Sequence, residues 1–238
     1  MDNFKNLTEK FAYKENENTV IRPVSLRTSP RKKVANSSLP HKIQKKTSSY
    51  KYHKSELLYK HLDPLPDLLD YNLKLVFCGF NPGIKSAEIG HRYGHKSNDF
   101  WKIIHEAGIV DTKLTPEDDE SMPKRFRIGF TELVMRPTKN IEEIPAIEMQ
   151  HNVPRLINTI NTYKPKVLCL VGRGIWDSIS KHTNNSKTKK FTWGLQDQKI
   201  FNCKCFVVPS TSGLVTIPRI KKLEYWNDLK KLVEESDK

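Results

Sequence analysis

Residues 74–83 read Lys-Leu-Val-Phe-Cys-Gly-Phe-Asn-Pro-Gly, a nearly continuous apolar run that ends at a glycine and then turns. Residues 166–172 repeat this form as Lys-Val-Leu-Cys-Leu-Val-Gly. Apolar runs without polar alternation are typical of strands that are covered on both faces, as parallel strands are. Together with shorter candidates at residues 127–131 and 205–208, they predict a parallel sheet.

Helical patterns lie between and after these strands. One helix is predicted after Asn98, which can cap it, because apolar residues recur from Phe100 at i, i+3, i+4 and i+7. Other helices are predicted at residues 141–163, with a start or kink at Pro154, at 174–181 and at 220–235. Alternating strands and helices indicate a three-layer α/β/α fold with a small, mostly parallel central sheet.

The chain is strongly basic. Its 238 residues include 41 Lys and Arg against 27 Asp and Glu, a net charge of +14. A balance of this kind favours a polyanionic partner. Residues 1–60 hold 14 basic and 5 acidic residues and so contribute +9 of the excess. Because the length fits one domain with a tail, much of the basic character belongs to the tail.

Residues 1–54 have little apolar periodicity and are rich in Lys, Asn, Ser and Thr. They are therefore predicted to form a disordered basic tail, followed by a folded domain at residues 55–238 that opens with a short helix at 55–62. Two basic clusters, at residues 29–33 and 41–46, indicate nuclear import or non-specific DNA contact. A merely solvated tail is the alternative.

The four cysteines do not have the spacing of a disulfide framework. Cys203 and Cys205 form a C-x-C pair without clustered His or Cys partners, so buried reduced thiols are favoured over a metal site. The sequence opens without an apolar signal segment, and its longest apolar run, residues 167–171, is far too short to span a bilayer. The protein is therefore expected to be soluble and intracellular, with no membrane partner.

In parallel sheets, ligands bind at the carboxyl ends of the strands. Segments that follow the predicted strands lie at residues 80–83, 131–136, 172–174 and 209–213. In the first of them, glycine and proline let the backbone pass close to a ligand, and Asn81 would project at the strand tip. Asn-Pro-Gly is also a common turn sequence, so Asn81 alone does not define a site.

Four short motifs occur in a fixed order: Gly79-Phe-Asn-Pro-Gly83, Gly90-His-Arg-Tyr93, Asn98-Asp-Phe-Trp101 and Pro209-Ser-Thr-Ser-Gly-Leu214. Together they resemble the thymine-DNA glycosylase and mismatch-specific uracil-DNA glycosylase family, within the uracil-DNA glycosylase superfamily. The resemblance covers roughly residues 70–235. It implies a monofunctional glycosylase that flips uracil, or thymine mispaired with guanine, out of duplex DNA and hydrolyses its N-glycosidic bond. No metal or organic cofactor is implied.

The resemblance gives Asn81 the role of the catalytic asparagine that positions the attacking water. A carboxamide has no useful basicity, so the base must leave as an anion, stabilised by backbone N–H groups near Phe80. Tyr93 matches the aromatic residue that stacks on the flipped base, and Ser86 a pocket position near the pyrimidine C5 edge. His91 and Asn98 are matched positions that would contact the base pocket or a phosphate, although capping of the helix would also explain Asn98.

Residues 209–214, which we term the wedge loop, resemble the family's insertion loop. Ser210 and Ser212 would donate to phosphates, Gly213 would permit close approach to the partner guanine, and Leu214 would fill the space vacated in the base stack. Lys221 and Lys222 follow the loop and are expected to contact phosphates, as are the lysines between residues 181 and 204.

Glu132 departs from the family pattern, which has Asn or Lys at this position. A carboxylate that faces a pocket in which an anionic base forms would be unfavourable unless it is paired, and Arg136 is a candidate partner. The acidic segment at residues 111–120 is expected to point away from DNA.

These inferences predict a nuclear, monomeric enzyme of base excision repair whose partner is double-stranded DNA with G·U or G·T mispairs. One alternative is a catalytically weak mismatch-binding module that recruits partners through its tail, which an intact Asn81 disfavours. The other is an α/β hydrolase or transferase for a small nucleotide. The absence of a glycine-rich P-loop and of a dinucleotide fingerprint weakens that interpretation.

Overall fold

The computed structural model describes residues 58–183 and 191–238. The predicted tail at residues 1–54, its two basic clusters and the first part of the predicted helix at 55–62 lie outside the described residues. So do three of the lysines predicted to contact DNA, at positions 187, 189 and 190. Within the described ranges, none of the helices is both long enough and apolar enough to cross a membrane.

The sheet has five strands in the order β2-β1-β3-β5-β4. The first four strands of this order are parallel, and β4 is antiparallel to β5. The strands are β1 (Leu75–Gly79), β2 (Ile128–Glu132), β3 (Val167–Val171), β4 (Gly194–Gln196) and β5 (Lys204–Val208). The four predicted strands are confirmed. The short edge strand β4 has no apolar run and was not predicted.

Six α-helices and two 3₁₀ segments are described around this sheet. The helices are α1 (Ile84–Ile89), α2 (Phe100–Glu106), α3 (Met122–Phe126), α4 (Ala146–Tyr163), α5 (Arg173–His182) and α6 (Arg219–Asp237), and the 3₁₀ segments are Pro116–Ser121 and Ile141–Glu143. Helix α4 begins after Pro145 and runs through Pro154 instead of starting there. A proline before the first turn is well tolerated, because the first helical N–H groups have no intrahelical acceptor.

The two faces of the sheet are covered by different helices. Leu75 and Phe77 of β1 pack into one core with α2 and α6, whereas Val76 and Cys78 pack into the other core with α4 and α5. All residues of β1 and β3 are buried, as expected for strands covered on both sides. The predicted three-layer α/β/α fold is therefore confirmed.

The carboxyl ends of the strands bring the segments that follow them to one edge of the sheet. A side chain at Gly174 would place its Cβ 2.5 Å from the Phe80 ring, and one at Gly172 would lie 3.0 Å from the same ring. The backbone N–H of Gly172 in turn donates to Val208 at the end of β5. The absence of side chains at residues 172 and 174 thus lets Phe80 pack across the ends of β1 and β3.

Candidate active site

Asn81 lies two residues beyond β1 and is held from one side. Its Nδ2 donates to the backbone oxygen of Arg136 at 2.9 Å and to the Oγ1 of Thr138 at 2.8 Å. The hydroxyl of Thr138 donates its own hydrogen bond to the Asn140 carbonyl, so it accepts from Asn81. Since the amide NH₂ is bound, the Oδ1 is the group left to accept a hydrogen bond from a ligand. Among the described residues, no donor binds this oxygen.

The segment that anchors Asn81 follows β2. Thr138 is buried, its N–H donates to the Pro82 carbonyl, and the two segments form an isolated parallel bridge between Gly83 and Thr138. Thr138 is not one of the site residues that the sequence predicts. It lies two residues beyond the segment at 131–136. Extending the search at the carboxyl end of this strand by two residues would therefore have included it.

Tyr93 has a left-handed backbone with φ of 54°, which is unusual for a residue with a bulky side chain. Its ring stacks on Phe100 at a centroid distance of 3.8 Å and an interplanar angle of 9°. A Cβ added at Gly79 would lie 3.4 Å from the Tyr93 hydroxyl, so that hydroxyl reaches the end of β1. Burial raises the pKa of the Tyr93 phenol well above its usual value, with a further contribution from Glu132.

Ser86 and His91 hold the segment that leads to Tyr93. The Oγ of Ser86, which is buried, accepts from the Gly94 N–H at 3.0 Å, and its backbone oxygen accepts from the His91 N–H. The Nδ1 of His91 lies 2.9 Å from the Oδ1 of Asp119. Because a carboxylate only accepts, this nitrogen carries the proton and donates. Ser86 and His91 are thus both engaged in shaping the loop on which Tyr93 sits.

The carboxylate of Glu132 is buried and paired with Arg92, not with the predicted Arg136. The Nε of Arg92 donates to the Oε1 of Glu132 at 3.1 Å, and its Nη2 also donates to the Pro66 carbonyl. Arg136 instead forms an ion pair with Glu148 at 2.8 Å. Desolvation raises the pKa of Glu132, and the Arg92 guanidinium opposes this effect. Arg92 satisfies the condition that a buried carboxylate be paired.

The acidic segment does not point wholly away from the site, as the sequence had suggested. Asp119 is fully buried and accepts from both His91 and the backbone N–H of Arg92. The backbone carbonyl of Arg92 accepts from the indole N–H of Trp101 at 3.0 Å. Arg92, the residue before Tyr93, is therefore hydrogen-bonded through its N–H, its carbonyl and its guanidinium.

Asp99, and not the predicted Asn98, occupies the N-cap position of α2, but the Oδ1 of Asn98 accepts from the Phe100 N–H at 3.0 Å and so satisfies the first N–H of the helix. The next residue, Asp99, joins this segment to the wedge loop by donating its N–H to the Thr211 carbonyl at 3.0 Å. Gly213 packs so closely on Ser97 that an added Cβ would lie 2.8 Å from the Ser97 carbonyl oxygen. The structure thus brings the third and fourth motifs together.

Leu214 is 82% exposed, at the tip of the wedge loop. The hydroxyls of Ser210 and Ser212 accept from backbone N–H groups inside the loop, at 3.3 and 3.4 Å, so their protons remain available to donate to a ligand. Gly213, which has no side chain, separates Ser212 from Leu214. The loop therefore presents an apolar tip flanked by hydrogen-bond donors.

The two lysines after the wedge loop differ in exposure. Lys221 is exposed, whereas Lys222 exposes only 6% of its surface and its Nζ lies 3.4 Å from the Val215 carbonyl. On an α-helix, successive residues are turned by about 100°, so one lysine faces solvent while the other faces the protein. Contrary to the expectation for both lysines, Lys222 supports the backbone after the wedge loop from within.

The four motifs lie inside a longer match. The family model described as the uracil DNA glycosylase superfamily matches residues 66–230, which is most of the chain. The chain belongs to the uracil DNA glycosylase superfamily. This region contains Asn81, Tyr93 and the wedge loop, and it leaves out the predicted tail.

A solved structure has the same superfamily fold. It is the solution NMR structure of a candidate uracil DNA glycosylase from Methanosarcina acetivorans, with a TM-score of 0.50 and 18% sequence identity. The alignment covers 72% of this chain and 98% of that chain. At this identity the likeness concerns the fold alone, which extends over nearly the whole of that protein.

The four cysteines of this superfamily member are free thiols. Cys78, Cys169 and Cys205 are buried, and burial raises the pKa of each thiol well above its usual value. Burial also raises the pKa of Cys203 to about 12. These thiols are protonated and poorly nucleophilic at neutral pH. Among the described residues, no three His, Cys, Asp or Glu side chains are grouped as metal ligands would be.

The hydrogen bond between His91 and Asp119 leads to a prediction about the titration of His91. The pKa of His91 is raised, chiefly by its hydrogen bond to Asp119. The native state therefore binds the proton more tightly than the unfolded chain does, so the stabilisation is complete below the unfolded pKa of about 6.5 and is lost as the pH rises through the folded pKa. We expect a proton NMR titration of His91 to have a midpoint above that of free histidine. Asp119→Asn should lower that midpoint, and a wild-type midpoint equal to that of free histidine would contradict the assignment.

Proposed function

We propose that this superfamily member is a monofunctional DNA glycosylase that removes uracil, or thymine mispaired with guanine, from duplex DNA. The observation that carries the proposal is the anchored amide of Asn81 just beyond the carboxyl end of β1, the strand end that the Tyr93 hydroxyl also reaches. Superfamily membership supports DNA glycosylase activity. The four motifs that resemble the thymine-DNA and mismatch-specific uracil-DNA glycosylases support the preference for mispairs.

Asn81 would orient the water that attacks the sugar carbon. With its NH₂ bound to Arg136 and Thr138, its Oδ1 can accept one hydrogen bond from a water and aim that water at the sugar carbon. An amide does not take the proton in the ground state, so bond cleavage must run ahead of water attack and the base must leave as an anion. The water oxygen then bonds to the sugar carbon, and its proton passes to solvent or to the departing base. Chemistry of this kind is slow and favours good leaving groups.

The pocket contains features that suit an anionic leaving group. Glu132 is neutralised by Arg92, so its carboxylate does not act as an unpaired negative charge behind the site. The phenol of Tyr93 keeps its proton at neutral pH because burial raises its pKa. A neutral aromatic face can stack on any flipped pyrimidine, which provides binding without strong selectivity.

The wedge loop would keep the base out of the duplex. An exposed apolar side chain can insert between base steps and offset part of the cost of unstacking, about a few kcal/mol per step. Leu214 is the most exposed of the large apolar side chains in the described ranges. Ser210, Ser212 and Lys221 would hold the flanking phosphates and so fix the position of the duplex without reading its sequence.

The proposal also includes the cellular setting. The basic tail would hold the enzyme near DNA in the nucleus, and the protein would act as a monomer on one lesion at a time. These features rest on the charge of residues 1–60 and on the substrate class.

A panel of labelled duplexes tests the activity. We expect strand breaks after alkali treatment of a G·U duplex incubated with the protein, fewer breaks in G·T, and fewest in A·U, because a mispaired base costs less to extrude. Single-stranded uracil DNA measures the chemistry without the extrusion step. If stoichiometric protein yields no breaks in any substrate, the enzymatic proposal is wrong. Tight binding to G·U without breaks would then favour a mismatch-binding module.

A further inference from the structure

Two contacts join the wedge loop to the start of α2. The Asp99 N–H donates to the Thr211 carbonyl, and Gly213 lies against Ser97. These contacts cross more than a hundred residues of sequence. They fix the loop at its middle and leave Leu214 exposed.

A second tie lies at the first residue of α6, just after the wedge loop. The Nη1 of Arg219 is 3.1 Å from the Oδ2 of Asp99, and its Nη2 donates to the Oε1 of Glu106 at 2.7 Å. The two carboxylates raise the pKa of the Arg219 guanidinium. Arg219 thus spans both ends of α2, so a basic residue close to the wedge loop is occupied within the protein.

The carboxylate of Asp99 is available for this tie because it does not cap α2. Although Asp99 occupies the N-cap position, its side chain makes no capping hydrogen bond, and Asn98 supplies that bond to the Phe100 N–H. An aspartate at a helix start is ordinarily used as a cap. Here its oxygens point to Arg219 and, at 3.8 Å, to Lys102.

The platform for the base begins at the next residue. Phe100 follows Asp99 directly and stacks on Tyr93 at 3.8 Å. A shift of the α2 start would therefore move the ring that supports Tyr93. Asp99 thus contacts the wedge loop through the Thr211 carbonyl and directly precedes the residue whose ring stacks on Tyr93.

We propose that Asp99 is a positioning residue that couples insertion of Leu214 to seating of the extruded base on Tyr93, through its contacts with Arg219 and Thr211. The inference rests on the proposed function, because it assumes that the loop enters DNA. The ion pair is partly exposed, with Asp99 32% and Arg219 43% accessible, so its loss should leave the fold intact. Its effect should appear when the duplex must be opened.

Two readouts test the coupling. The first uses a duplex with 2′-fluoro-deoxyuridine, a nucleotide that resists hydrolysis, placed opposite guanine. A neighbouring 2-aminopurine reports extrusion, because its fluorescence rises when the adjacent base leaves the stack. In the second, single-turnover excision is compared between a G·U duplex and the same strand unpaired. We expect Asp99→Asn and Arg219→Gln to lower the fluorescence rise and to reduce the duplex-to-single-strand rate ratio about fivefold. Lys102→Gln is the matched control and should leave both readouts within about twofold.

A double variant that combines Asp99→Asn with Leu214→Ala tests whether the effect of Asp99 on the rate ratio passes through the wedge loop. If Asp99 acts through the wedge loop, Asp99→Asn should lower the rate ratio by less than about twofold once Leu214 is truncated. Full additivity, or equal loss on paired and single-stranded DNA, would overturn the inference, as would a wild type without a fluorescence rise. If Asp99→Asn diminishes the fluorescence rise, the coupling is supported even when the protein releases no uracil. The absence of uracil release refutes only the proposed excision.

Discussion

Asn81→Ala is expected to lower single-turnover excision from a G·U duplex by about 10³-fold, the range found when a group that acts in the transition state is removed. The side-chain NH₂ of Asn81 is bound by the Arg136 carbonyl and by Thr138, which leaves Oδ1 to orient the water. Since this contact matters mainly in the transition state, the affinity for the duplex should change little. A rapid-quench excision assay, combined with a binding titration, measures both quantities.

Thr138→Val provides a graded comparison for Asn81→Ala. The valine lacks the hydroxyl that accepts from Asn81, so the amide is held by fewer contacts and the rate should fall by about tenfold. Asn158→Ala, on the exposed side of α4, removes the same side chain at a distant site and is the matched control. Retention of more than about a tenth of the wild-type rate by Asn81→Ala would exclude a catalytic role.

The second large effect is expected on stability. Arg92→Met leaves the buried Glu132 carboxylate without its partner, and uncompensated buried charges cost about 3–5 kcal/mol. The Pro66 carbonyl also loses its donor. For a domain of this size the melting temperature should fall by about 10 °C. Urea unfolding followed by circular dichroism gives the change in the free energy of unfolding.

The pH dependence of Arg92→Met follows from the sign of the Glu132 shift. Desolvation raises the pKa of Glu132 in the native state, so the contribution of this group is most favourable below its unfolded pKa and is lost as the pH rises through the folded value. Removing Arg92 takes away the charge that opposes this shift, so the pKa of Glu132 should rise further in Arg92→Met and the stability deficit of the variant should shrink as the pH is lowered. Arg92→Met combined with Glu132→Leu should be more stable than Arg92→Met alone. A pH-independent deficit, or a double variant no more stable than the single one, would contradict this account.

Several elements of the fold were predictable because their cause is local. The apolar runs at residues 74–79 and 166–172 match β1 and β3 to within a residue or two at each end. The spacing of Phe100 and its successors predicted α2, although its N-cap is Asp99 and Asn98 binds the Phe100 N–H from one residue earlier. Strand β4 could not be predicted, since its three residues carry no periodicity, its one buried residue is a glycine, and they form a strand only by pairing with β5.

The partners of the charged residues were less accessible to prediction. Glu132 and Arg136 are close in sequence, yet Glu132 pairs with Arg92, which is 40 residues away, and Arg136 binds Glu148. Lys221 and Lys222 are neighbours, yet one is exposed and the other buried. Ionic partners are set by which strand ends and loops meet at the sheet edge, and sequence spacing does not contain that information.

The sequence by itself determined the strands that form the core, the layered α/β class and the residues that carry the motifs, because burial and turn formation depend on periodicity and on local backbone preferences. Only the tertiary structure decided what holds these motif residues. It placed Thr138 under Asn81, Arg92 against Glu132, and Asp99 between the wedge loop and the ring that supports Tyr93. The physical reason is that a hydrogen bond or ion pair acts over about 3–4 Å, and folding alone brings residues so distant in sequence within that range.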